Sequence, residues 1–167
     1  MRLNLRDMIH VPGASLPFDF RLDLSGLEFY GERPLTRPVQ VSGTVRNMAD
    51  ALVLEGRAQT VMDVHCDRCL KPFSKQLDVP VSTLMAEELQ NEENEDEIVL
   101  LENGEVDLEE VFTTAVVLSM DMQNLCSEDC KGLCSGCGVN LNEEPCRCKQ
   151  EVDPRLAALA QLLDKKD

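Results

Sequence analysis

Tryptophan is absent from this chain, tyrosine occurs once and phenylalanine five times. Aromatics make up 4% of the 167 residues and apolar residues 43%, so a core has to come from Val, Leu, Ile and Met. Histidine is scarce as well, with only His10 and His65. Catalytic zinc commonly takes histidine and keeps one position open for water, so that scarcity argues against it. The deaminase pattern of H-x-E followed by P-C-x-x-C is missing. So are a phosphate-cradling glycine loop and a nucleophile set beside a base. These absences predict a protein that is not an enzyme. No apolar stretch approaches the ~20 residues of a membrane helix. The opening MRLNLRDMIHVPGASLPFDF has no unbroken apolar run and no small-residue cleavage site, so no signal peptide is expected. The expectation is a cytoplasmic protein with no membrane partner.

What the chain does have is cysteine: Cys66, Cys69, Cys126, Cys130, Cys134, Cys137, Cys146 and Cys148. A reducing cytosol disfavours disulfides, and closely spaced pairs there point to metal.

The net charge of −15 is unevenly spread. Residues 1–75 hold 10 Lys/Arg and 9 Asp/Glu, whereas residues 87–110 hold 12 Asp/Glu and no Lys/Arg. A solvated loop is the ordinary reading of such a run. A surface for a basic partner, or a mimic of nucleic acid, is the sharper one.

Apolar residues alternate in Phe18-Asp19-Phe20-Arg21-Leu22-Asp23-Leu24 and in Val39-Gln40-Val41-Ser42-Gly43-Thr44-Val45, and strand-like runs follow at Ala51 to Val64 and Gln76 to Met85. Gly13, Gly31, Pro34, Pro38 and the 47–50 cluster separate them as turns. Helical crossovers are missing between these runs, so antiparallel pairing is expected. Residues 86–106 read as an acidic loop, broken by strand-like Ile98 to Leu101. A long helix over 107–122 follows, capped by Asp107 with Glu110 at capping-box spacing. Its apolar positions are Val111, Phe112, Ala115, Val116, Leu118 and Met122. Asp153-Pro154 starts a short C-terminal helix with Leu156, Leu159, Ala160 and Leu163 on one face. The fold class expected is therefore α+β. An antiparallel sheet or partly open barrel fills the N-terminal half, and a zinc-ribbon-like cysteine segment follows the helix. The division expected is a β-rich domain over 1–122 and a cysteine-rich segment over 123–167.

Eight thiolates suffice for two tetrahedral sites, hence two Zn²⁺ ions per chain. Spacing leaves the sharing open. The preferred grouping puts Cys134, Cys137, Cys146 and Cys148 in one compact local ribbon. Cys66, Cys69, Cys126 and Cys130 then form the other site, tying the strands to the residues after the helix. Closing that long loop gains more against chain entropy than closing a short one. Arg68, Lys71, Lys131, Arg147 and Lys149 are close enough in sequence to offset thiolate charge. His65 adjoins Cys66 and is expected to point away from the metal.

Cys66-Asp67-Arg68-Cys69-Leu70-Lys71-Pro72-Phe73, then Cys130-Lys131-Gly132-Leu133-Cys134-x-x-Cys137-Gly138-x-Asn140-Leu141-Asn142, then Cys146-x-Cys148, then Asp153-Pro154-Arg155-Leu156, resemble the YceD family. Those are bacterial and plastid proteins linked to accumulation of large-subunit ribosomal RNA. The resemblance spans nearly the whole chain. The C-terminal cysteines resemble the Gram-positive type, whereas some enterobacterial relatives keep the first C-x-R-C but lack the last four cysteines, which supports the grouping above. The resemblance implies a role in making or stabilising 23S ribosomal RNA. The implied partners are precursor large-subunit RNA or the nascent large subunit. Candidate phosphate contacts in the neutral N-terminal half are Arg2, Arg6, Arg21, Arg33, Arg37 and Arg46. An acidic module holding a basic ribosomal protein is the alternative, and an RNA-processing enzyme a more remote one.

Overall fold

The computed structural model describes residues 1–48, 51–87 and 98–148. Within them the order is β1 (Arg2–Asn4), α1 (Arg6–Ile9), β2 (Ser15–Leu22), β3 (Val39–Met48), β4 (Ala51–His65), β5 (Pro72–Ala86), β6 (Ile98–Leu100), β7 (Glu105–Asp107) and α2 (Leu108–Ser119). Strands β2 to β5 form an antiparallel meander, and β6 adds itself parallel to β5. Strands β1 and β7 form a separate antiparallel pair. The sheet is open: β2 and β6 are its two edges among the described residues.

Alternation decides which face is buried. Val39, Val41 and Val45 of β3, Leu52, Leu54 and Ala58 of β4, and Leu77, Val79 and Met85 of β5 point inward. Helix α2 covers that face with Leu108, Phe112 and Val116. Gly43 and Gly56 face each other across β3 and β4, with Phe18 paired to Gly43 on β2. A Cβ on Gly43 would meet the Glu55 carbonyl at 2.4 Å, and one on Gly56 would meet the Phe112 ring at 2.7 Å. The two glycines make the shallow seat on which the rings of Phe18 and Phe112 meet edge-on, 5.8 Å apart.

The four strand runs read from alternation are all present. The helix is shorter than expected: α2 is a 12-residue helix that stops at Ser119, not a long one reaching 122. Asp107 does cap it, accepting the Glu109 N–H at 3.0 Å rather than forming a reciprocal box with Glu110. Met120 turns to extended backbone (φ −68°, ψ 127°) and buries its side chain one turn beyond Val116. Leu118 and Met122 consequently lie outside the core, 79% and 82% exposed. Strand-like Ile98 to Leu101 carries β6, and the stretch after it, expected as acidic loop, carries β7 at Glu105–Asp107. Leu101 and Val106 anchor that stretch in the core. The expected C-terminal helix, the Glu/Asp run over 92–97 and Lys149 lie outside the described residues.

Candidate metal centres

Strands β4 and β5 outrun their neighbours, and the hairpin between them carries the first knuckle. The Cys66 N–H donates to the Lys71 carbonyl at 2.9 Å and the Leu70 N–H to the Cys66 carbonyl at 2.8 Å. Leu70 takes the left-handed conformation that closes so tight a turn (φ 58°). Cys66 and Cys69 are thereby turned to the same side at the tip. The second knuckle lies beyond α2, where Cys126 and Cys130 precede Gly132 (φ 73°). A side chain at Gly132 would meet the Arg68 carbonyl at 2.9 Å, so only glycine lets the two knuckles close on each other.

Backbone hydrogen bonds join them. The Leu133 N–H donates to the Arg68 carbonyl and the Asp67 N–H to the Asn124 carbonyl, both at 2.9 Å. The Asn124 N–H donates to Asp67 Oδ2 at 2.6 Å. The Arg68 guanidinium donates to the carbonyls of Cys130 at 3.0 Å and Glu128 at 3.3 Å. The Arg68 guanidinium thereby binds the second knuckle's backbone beside the sulfurs.

The result is one quartet: the four sulfurs of Cys66, Cys69, Cys126 and Cys130 lie within 4.8 Å of one another. Cys66 and Cys130 stand 3.8 Å apart and Cys69 and Cys126 3.6 Å. Sulfurs placed tetrahedrally at about 2.3 Å from one ion are about 3.8 Å apart, so the spacing fits a shared metal. It is far outside the ~2.05 Å of a disulfide. Cys66, Cys69 and Cys130 are buried, with Cys126 the most open of the four.

The second quartet is local. The Gly138 N–H returns to the Cys134 carbonyl and the Cys134 N–H to the Val139 carbonyl, both at 2.8 Å, with Gly138 at φ 73°. Cys146 and Cys148 approach from the other side. The four sulfurs again lie within 4.8 Å of one another, with Cys134 to Cys146 at 3.1 Å and Cys137 to Cys146 at 3.9 Å. Amides of Gly136 and Cys148 point at the sulfurs of Cys134 and Cys146, at 3.4 and 3.2 Å.

In both quartets hydrogen-bond donors favour the thiolate form of particular sulfurs. The Cys126, Cys69 and Arg68 N–H groups aimed at Cys66 lower its pKa to about 6. The N–H of Cys137, with the Cys146 thiol and the Gly136 N–H, does the same for Cys134, to about 6. Other members pay the proton: crowding by Cys69 and burial push Cys126 up to about 12, and the neighbouring Cys137 and Cys146 push Cys148 to about 12. A cation at the centre deprotonates all four. Each quartet can therefore hold one metal ion, with its four ligand positions filled by sulfur.

Asn142 carries a role that sequence reading missed. Its Nδ2 donates to the Cys130 sulfur at 3.3 Å, and its Oδ1 accepts the Lys131 N–H at 2.8 Å. Asn140 Oδ1 in turn accepts from the Asn142 backbone and side chain, at 3.1 and 2.9 Å. Asn142 thus sits between the quartets and supports the first from the second. The signal was the x-Asn-x-Asn run after Gly138.

His65 keeps away from the cluster, its Nδ1 lying 3.0 Å from Glu32 Oε1. The candidate arginines fall in separate places. Arg2 lies 3.6 Å from Asp107, and Arg6 donates to the Asn103 carbonyl at 2.8 Å. Both line a groove with Glu87, Glu102, Glu105 and Glu110. Arg37 is 3.9 Å from Asp63, and Arg46 3.9 Å from Glu55. Arg21 and Arg33 are exposed on β2 and the loop after it. No described helix is long and apolar enough to cross a membrane.

Comparison with known proteins agrees with the motif reading. Residues 54–163 match the model of the family described as large ribosomal RNA subunit accumulation protein YceD. An uncharacterised Mycobacterium tuberculosis protein is 30% identical over 122 residues, covering 71% of this chain and 59% of its own length. A maize protein named large ribosomal RNA subunit accumulation protein YCED homolog 1, chloroplastic, is 26% identical over 179 residues, 89% of this chain and 61% of that protein. An uncharacterised Bacillus subtilis protein is 24% identical over 172 residues, spanning 100% of this chain and 99% of its own. The chain thus spans about three fifths of the mycobacterial and maize relatives (59% and 61%). No solved structure matches it. All eight cysteines lie inside the matched 54–163, and the chain belongs to the YceD family.

Proposed function

We propose that this chain is a non-enzymatic factor in the accumulation of large-subunit ribosomal RNA, held in its working shape by two structural zinc ions. Its place of work is the cytoplasm, where thiols stay reduced. The observation that carries the reading is the coincidence of the family match with the first quartet. The match over 54–163 begins on the strand leading into Cys66 and takes in both knuckles. Zinc suits four thiolates in tetrahedral array, and iron bound by sulfur is the main competitor. Zinc bound this way supplies cross-linking and no open position for chemistry.

The partner in this reading is precursor ribosomal RNA or a nascent large subunit. Arg21, Arg33, Arg37 and Arg46 are the phosphate contacts in this reading: Arg37 and Arg46 each face one carboxylate at 3.9 Å, whereas Arg2 and Arg6 line a groove with several. The test is affinity for precursor large-subunit RNA across several salt concentrations. Joint replacement of Arg21, Arg33 and Arg37 by Gln is expected to weaken binding and reduce the salt slope by about one per lost phosphate contact. Unchanged affinity and slope remove these arginines from the reading. Conversion of RNA by the purified protein, abolished by a point substitution, removes the non-enzymatic assignment. The acidic alternative rests on the carboxylates between residues 87 and 110, and binding of a basic ribosomal protein without RNA would favour it.

A further inference from the structure

Beside the first quartet lies a cavity of about 380 Å³ that the metal reading leaves unused. Three stretches enclose it: the 29–34 segment, the first knuckle and the chain leaving α2. Tyr30 stands at its edge, 74% exposed. Its backbone takes φ 51°, a left-handed conformation that is rare for an aromatic residue. The Phe29 ring meets it edge-on with centroids 4.7 Å apart. A constrained turn and a neighbouring ring thus hold an aromatic face out at the cavity.

The polar groups around that face are mostly acceptors. Glu32, Asp67 and Asp121 bring three carboxylates. Lys75 pairs with Asp121, while among the described residues Asp67 takes the neutral Asn124 N–H and Glu32 faces His65. The buried Oδ1 of Asn124 has no hydrogen-bond partner among the described residues. That oxygen is closed to solvent, so the acceptors an occupant of the cavity can reach are the carboxylates. Leu70 and Met122, both largely exposed, add an apolar wall.

An occupant must therefore donate hydrogen bonds, carry positive charge, stack on an aromatic ring and lay an aliphatic stem on apolar surface. Arginine combines these properties. Phosphate does not, because three carboxylates face it. We propose that this cavity receives an arginine side chain from a basic protein partner, with Tyr30 as the stacking face and Glu32 and Asp67 as acceptors. The inference is independent of the ribosomal RNA reading and stands or falls separately from it.

The test is amide chemical-shift mapping on the ¹⁵N-labelled full chain, with N-acetyl-arginine amide as probe. Saturable shifts are expected at Tyr30, Glu32, His65 and Asn124. The neutral isostere N-acetyl-citrulline amide should bind at least about fivefold more weakly. Tyr30→Ala should weaken the arginine response about fivefold, in line with loss of a cation–π contact. Glu32→Gln should weaken it too while leaving the sheet amides unmoved, which separates a lost contact from a lost fold. Three results would overturn the proposal. These are an equal response to citrulline, shifts centred on outer-face carboxylates such as Asp78, and shifts at the cavity from a uridine oligonucleotide but not from arginine.

Discussion

The quartet of Cys66, Cys69, Cys126 and Cys130 bridges separations of 57 and 64 residues and is largely closed to water. The quartet of Cys134, Cys137, Cys146 and Cys148 bridges 9 and 12 residues and is mostly exposed. Both use four sulfurs, so the difference lies in what the chain does between them. A cross-link over the longer span removes more freedom from the unfolded chain, by roughly 1.5 kcal/mol on loop length alone. The first also welds β4 and β5 to the segment after α2, whereas the second organises its own ribbon, from which Asn142 reaches Cys130. With a metal in each, identical ligand chemistry would yield a cornerstone in one place and a local clasp in the other.

Breaking the cornerstone should have the largest effect. Cys66→Ser removes a fully buried ligand and is expected to lower the melting temperature by at least about 10 °C, as a loss of several kcal/mol would in a chain of this size. Thermal unfolding by circular dichroism measures it, and a fall below 3 °C would deny the first quartet its role. Asn142→Ala comes next. It removes the amide donor to Cys130 and the acceptor for Lys131, so a cost of about 1–2 kcal/mol is expected in denaturant unfolding. No loss would mean the two quartets are mechanically independent. Cys134→Ser should have the smallest effect on the sheet. It is expected to release one ion and loosen 131–148, with amide exchange in β3 to β5 unchanged. Faster exchange in β4 would show that the clasp carries more than its ribbon.

The contrast between the quartets was partly legible in the sequence. Cys-x-x-Cys at Cys66 and Cys134 announces two knuckles, and the long interval from Cys69 to Cys126 announces a bridge. The strands were legible because each buries one face, so every second residue is apolar. What escaped was held by partners too distant to leave a local pattern. Strands β1 and β7 are three residues each and exist because they pair with one another. Helix α1 spans four residues and is closed by Asn47, whose Nδ2 donates to the carbonyls of Met8 and Ile9 at 2.7 and 3.0 Å. The end of α2 was misplaced because Leu118 and Met122 are apolar, yet the sheet takes Met120 instead. The role of Asn142 depends on where Cys130 comes to rest, which spacing does not encode.

The most direct test of the account is a metal count joined to a map of protected thiols. Native mass spectrometry of the chain purified without added metal should give two zinc ions, and Cys134→Ser should give one. Alkylation of that variant should modify Cys137, Cys146 and Cys148 while sparing Cys66, Cys69, Cys126 and Cys130. One ion or none in the unaltered chain, or alkylation of both quartets when only Cys134 is changed, would contradict two separate centres.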